Sequence, residues 1–162
     1  MPELSGFERK DLETAGFVGW TAVQEAASDV PDTPGVYVVY SDRRRAGEFL
    51  ATNPAGWHKG QDPTVPSALL EERWIADAGV LYFGSAPDLR KRITRLGQFS
   101  AGEPVAHYGG RILWQVSFSA EFLVAWKEAD DDDHASEKRG YVRQFKSTFG
   151  RQPFANIQRP KS

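Results

Sequence analysis

The sequence predicts an α+β fold: a small, mostly antiparallel sheet with flanking helices. Three observations carry this. Short β-branched and aromatic runs are bounded by Pro, Gly, Ser and Asp. A clean amphipathic helix follows the second such run. The order reads strand, insert, strand, helix, strand, strand, helix. Short connections favour antiparallel neighbours over the crossovers a parallel sheet requires. With 162 residues, 40% of them hydrophobic, the chain suits one domain with a sizeable core.

The elements follow in order. Residues 1–30 are weakly periodic and read as an N-terminal arm lying on the domain through Phe17, Val18 and Trp20. Within it, Thr21 is placed to cap a short helix through Glu25 and Ala27, ended by Pro31 and Pro34. Residues 31–162 read as the domain proper. Gly35-Val36-Tyr37-Val38-Val39-Tyr40 is the first clear strand, entered from Pro34 and left through Ser41-Asp42. Residues 41–66 hold three Pro and three Gly and read as loop, and 67–76 fits a short amphipathic helix. Together, about 41–78 reads as an inserted loop and helix between strands that would otherwise be hairpin neighbours.

Val80 to Gly84 is the second strand. Ser85 or Asp88 then starts a helix with Pro87 suited to its first turn. Leu89, Ile93 and Leu96 share one face of it, and Gly97 and Gly102 close it. Arg111 to Phe118 and Phe122 to Lys127 read as two further strands, although Leu123, Ala125 and Trp126 also fit helical spacing. Glu128 to Asp133 is an acidic loop. Ser136 caps a last helix to Phe149, ended by Gly150 and Pro153.

Composition narrows the function. Lys and Arg number 20 against 22 Asp and Glu, a formal charge of −2, so any nucleic-acid site has to be a local basic patch. The absence of cysteine removes disulfides, thiolate zinc sites and Cys nucleophiles. Three scattered histidines make a poor zinc cage. No apolar run approaches the ~20 residues of a membrane span. The first residues lack the regions of a signal peptide, so the expected location is the cytoplasm, with no membrane partner.

One cluster points to chemistry. The second strand ends in Tyr82 and Gly84, and the next helix carries Arg90, Lys91, Arg92 and Arg95. Arg92 falls at the edge of the apolar stripe, while Arg90 and Lys91 point further round toward solvent. An edge arginine lays its stem on the sheet and presents a planar, bidentate fork that suits phosphate. A helix N-terminus just past Gly84 would add backbone N–H groups for an anion. The plainer reading of the same residues is a solvated basic face.

Pro34-Gly35-Val36-Tyr37, Val80-Leu81-Tyr82-Phe83-Gly84-Ser85-Ala86 and Asp88-Leu89-Arg90-Lys91-Arg92 resemble the GIY-YIG nuclease superfamily. Arg92 stands ten residues after Tyr82, as that signature requires. The stretches Ala106 to Gln115 and Gln152 to Asn156 resemble one bacterial branch, and the likeness spans about residues 31 to 157. The resemblance implies a metal-dependent endonuclease using one Mg²⁺ or Mn²⁺ ion. Tyr37 would be the general base or water-orienting group, and Tyr82 would position the water or the phosphate. Arg92 would hold the scissile phosphate, Glu137 would be the metal ligand, and Asn156 would orient the site by hydrogen bonding. His107 would assist the base. Gly84, Ser85, Arg90, Lys91, Arg95 and Lys59 would contact substrate, with Trp57, His58 and Arg73 in the same inserted loop.

The chemistry is coherent in general terms. Phosphodiester hydrolysis needs cationic clamping and an activated water, and magnesium is commonly held by only one or two carboxylates. A tyrosine near pKa ~10 serves as a base only if a cation stabilises its phenolate.

Two departures stand out. A long insert separates the tyrosine motifs, and Leu96 occupies the place of a His or Tyr usual in the family. DNA is favoured over RNA on family grounds alone, with a homodimer or a targeting partner compatible with the neutral charge. The rival expectations are a catalytically weak nucleic-acid-binding module of the same fold and a protein-interaction domain.

Overall fold

In a computed structural model, residues 3–42, 47–104 and 108–157 are described. Eight regular elements follow in chain order: α1 (Arg9–Thr14), β1 (Val18–Ala22), β2 (Gly35–Tyr40), α2 (Ser67–Arg73), β3 (Val80–Ala86), α3 (Leu89–Ser100), β4 (Leu123–Glu128) and α4 (His134–Phe149). The four strands form one sheet in the order β1-β4-β2-β3, with every pair antiparallel. This is the expected α+β architecture.

β2 lies between β3 and β4 and is buried at all its positions, which explains its unbroken apolar sequence. Alternation along the strand creates two cores. Tyr37 and Val39 face one side with Leu81, Val124 and Trp126, covered by Leu89, Ile93, Leu96 and Phe99 of α3. Val36, Val38 and Tyr40 face the other with Phe83 and Ala125, covered by Leu12 of α1 and Tyr141 and Phe145 of α4. The outer edge of β3 is bordered by the C-terminal segment, where the Ala155 N–H donates to the Leu81 carbonyl at 2.8 Å.

Several expectations are corrected. Residues 18–22, read as part of an arm, form the edge strand β1 against β4, so Thr21 pairs in the sheet rather than capping a helix. The pairing slips between Gly19 and Thr21, where Gly19 (φ 110°) and Trp20 (φ 55°) are left-handed. A side chain at Gly19 would meet the Trp126 ring at 2.3 Å, so glycine is required there. Single-turn 3₁₀ segments, Val23–Glu25 and Ala27–Asp29, take the place of the expected helix.

Residues 111–118 are not a strand. They lie mostly in 3₁₀ turns over Tyr108–Gln115, and Val116 alone makes a bridge, to Phe49. Ile112, Leu113 and Trp114 are all buried in succession, packed by these tight turns rather than by a strand ladder.

α3 runs through Gly97 to Ser100 instead of closing at Gly97, and Gly102 (φ 97°) makes the turn after it. α4 starts at His134, and the Ser136 hydroxyl donates to the Asp133 carbonyl instead of capping an N–H. Its end is as expected: Gly150 (φ 82°) closes on the Lys146 carbonyl. Among the described residues, no helix is long and apolar enough to cross a membrane.

Candidate functional site

The register of β2 and β3 builds the site. Tyr37 stands opposite Gly84, and Val39 stands opposite Tyr82, so both tyrosines project from the α3 face. The Tyr37 ring lies across Gly84: a Cβ there would fall 2.2 Å from the Tyr37 Cζ. Only a glycine lets the tyrosine occupy that space. The Tyr37 and Tyr82 rings sit 6.0 Å apart, tilted by 54°. Tyr37 is 1% exposed and Tyr82 half-buried, so Tyr82 is the face of the pair that solvent or a ligand meets.

Burial pushes the Tyr37 phenol well above its ordinary value; Tyr82 beside it adds to the rise, and the nearby Arg92 opposes it. A side-chain hydrogen bond with Tyr82 raises it further. Tyr37 in this environment therefore holds its proton near neutral pH. Arg92, half-buried on α3, brings a cation into the same electrostatic neighbourhood. Tyr37, Tyr82, Gly84 and Arg92 thus converge.

Asn156 supports them from behind. Its side-chain amide donates to the Phe83 carbonyl and its carbonyl accepts from the Phe83 N–H, both at 2.9 Å. This paired contact fixes the residue between Tyr82 and Gly84. Arg73 of the insert in turn donates to the carbonyls of Phe154 and Asn156, at 2.9 and 3.3 Å. Burial, then Arg151 and Arg111, depresses the Arg73 pKa. Arg73 is thus a clamp on the C-terminal segment.

Other expected residues lie elsewhere. Ser85 stands opposite Val36, which places it on the α4 face, away from the tyrosines. Glu137 is on that face too. Its carboxylate accepts from the Tyr141 hydroxyl at 2.7 Å and pairs with Lys127 at 3.0 Å, and Lys127 stands opposite Val36. Desolvation, then Glu137, raises the Tyr141 pKa. The helix N-terminus offers no free anion site. It begins at Leu89, beyond Ser85, and Asp88 caps the Lys91 N–H at 3.0 Å. The N–H groups of Leu89 and Arg90 are taken by the carbonyls of Thr33 and Pro31.

Arg90 spends its Nε on the Val30 carbonyl, at 2.7 Å. Lys91 is exposed and Arg95 half-buried. Lys59 occupies an exposed turn of the insert with left-handed backbone (φ 55°), near the exposed Trp57. His107 lies outside the described residues. Leu96 is wholly buried under α3 and adds no polar group.

The expected metal ligand, Glu137, does not face the tyrosines. Glu137 is committed to Lys127 and Tyr141 on the opposite face, and the described residues hold no group of three or more His, Asp or Glu able to bind a metal ion. The reading of the sequence also passed over the cations of α4, Lys138, Arg139, Arg143 and Lys146, where the i, i+4 pair Arg139/Arg143 and the i, i+3 pair Arg143/Lys146 were the available signal. Compared with known proteins, the chain matches no family model, no curated protein and no solved structure.

Proposed function

We propose that the chain works on nucleic-acid backbones: it seats one phosphodiester group at Tyr37, Tyr82 and Arg92 and, as the GIY-YIG resemblance implies, hydrolyses it as an endonuclease. DNA stands ahead of RNA on family grounds. The observation that carries the reading is the pairing of Tyr37 with Tyr82 over a glycine that nothing larger can replace, with Arg92 close enough to act on Tyr37. Arg92 supplies a fixed positive charge with forked donors, and Tyr82 supplies a hydroxyl beside Tyr37. Together they match the oxygens of a phosphodiester and would offset charge that builds there during cleavage.

A second reading, seating without cleavage, is favoured by two observations. Leu96 leaves α3 without a base, and Glu137 sits on the other face in an ion pair. The experiment that separates them uses labelled single-stranded, duplex and branched DNA and RNA with Mg²⁺ or Mn²⁺, with chelator and Arg92→Ala as controls. Cutting that disappears with Arg92→Ala is the expected result. Salt-sensitive binding without cutting under either metal selects the second reading, and no binding at all rejects both.

A further inference from the structure

A row of cations without carboxylate partners among the described residues lies away from the paired tyrosines. α4 turns Lys138, Arg139, Arg143 and Lys146 toward a groove of about 500 Å³ bordered by the C-terminal segment at Gln152 and Asn156. At 1.5 Å per residue these cations extend over about 12 Å of helix. Beyond Asn156 the groove continues into a second hollow of about 490 Å³ beside Arg73 and Arg151.

Arg73 and Arg151 spend donors on backbone carbonyls and have structural work. The four α4 cations do not. The ion pairs among the described residues join Arg9 to Glu13, Lys127 to Glu137 and His134 to Asp131, leaving this row without a carboxylate. Burial, then the neighbouring Arg139, pulls the Lys138 pKa down, as expected of a cation held among cations. In a chain of net charge −2, these four cations share one groove. Asn156, which borders both hollows, is bonded to Phe83, the neighbour of Tyr82. The groove therefore opens at the edge of the strand that carries the site.

We propose that this groove is a second nucleic-acid contact, in which α4 holds backbone phosphates of the same nucleic acid that the Tyr37–Tyr82–Arg92 site engages at another phosphodiester. It rests on the nucleic-acid reading of that site. A duplex strand carries one phosphate per 3.4 Å of axis, so about 12 Å of cations faces roughly three or four phosphates. A row of charge suits such a linear polyanion.

The test measures binding of fluorescein-labelled poly(dT) and a duplex oligonucleotide across a salt series, for wild type, Arg139→Gln/Arg143→Gln and Arg92→Ala. Circular dichroism of each variant shows that the fold is kept. Removing two phosphate contacts is expected to reduce the slope of log K against log salt by about 1.4–1.8, at about 0.7–0.9 per contact. An unchanged slope in the double variant, with binding weakened by Arg92→Ala, overturns the groove and leaves the tyrosine site standing. A reduced slope in the double variant, with Arg92→Ala as wild type, keeps the groove and overturns the tyrosine site. Polyglutamate that displaces the DNA from wild type but not from the double variant reassigns the groove to an acidic protein. Absence of DNA binding at low salt overturns both.

Discussion

Gly84 determines where Tyr37 can lie. Because a methyl group there would stand 2.2 Å from the Tyr37 Cζ, Gly84→Ala has to push the ring off the strand. We expect a loss of about 2 kcal/mol in chemical denaturation, the cost of overpacking, together with loss of nucleic-acid binding. Wild-type stability and binding would show that the ring contact is not needed. The raised Tyr37 pKa has its own consequence. The native phenol keeps its proton at pH values where the unfolded phenol, near ~10, has lost it. Folding then binds a proton, so stability is fully present below pH ~10 and falls as pH rises above it, by up to about 1.4 kcal/mol per pH unit. Tyr37→Phe should flatten that decline by one proton's share, read from denaturant melts at alkaline pH. Tyr141, also raised, supplies another share that remains. Gly-x-Tyr and Tyr-x-Gly were legible at this scale. The face of each neighbour was not, because it depends on register: Ser85 is one residue from Gly84 yet points to the other side.

At the scale of elements, the insert and the C-terminal segment act as one brace on β3. Asn156→Ala would strand the buried N–H and carbonyl of Phe83, and we expect a loss of about 2–3 kcal/mol in denaturation. Asn156→Asp should recover little, since it keeps an acceptor and loses the donor. A neutral effect of Asn156→Ala would remove the brace from the account. α4 gives a sharper contrast. Lys127 and Glu137 are 18% and 13% exposed, so Glu137→Ala leaves a mostly buried ammonium without its partner, at about 3 kcal/mol. Thermal melts should show that loss, while Mn²⁺ binding followed by paramagnetic relaxation should match wild type. Weakened Mn²⁺ binding with unchanged stability would restore Glu137 as a ligand.

The legibility of these elements followed their regularity. α3 showed in Leu89, Ile93 and Leu96, and β2 in its unbroken apolar run. β1 was hidden by left-handed Gly19 and Trp20, which break its alternation. Residues 111–118 alternate well enough to imitate a strand, yet they fold mostly into tight turns. The brace joins Arg73, Asn156 and Phe83 across long sequence separations, which no local pattern announces.

At the scale of the whole molecule, the sheet divides its chemistry. One face carries Tyr37, Tyr82 and Arg92 under α3; the other carries Lys127, Glu137 and Tyr141 under α4. The sequence contained every one of these residues, but their allocation to faces is a property of the folded sheet. That division explains why the expected carboxylate does not join the tyrosines. The most direct test titrates ¹⁵N-labelled protein with the dinucleotide thymidylyl-thymidine, which presents one phosphodiester, while the Arg92 Nε–H resonance is followed by NMR. The account predicts a saturable shift at Arg92 and at the Tyr82 amide, abolished by Tyr82→Ala. An Arg92 resonance that stays still throughout the titration would contradict it.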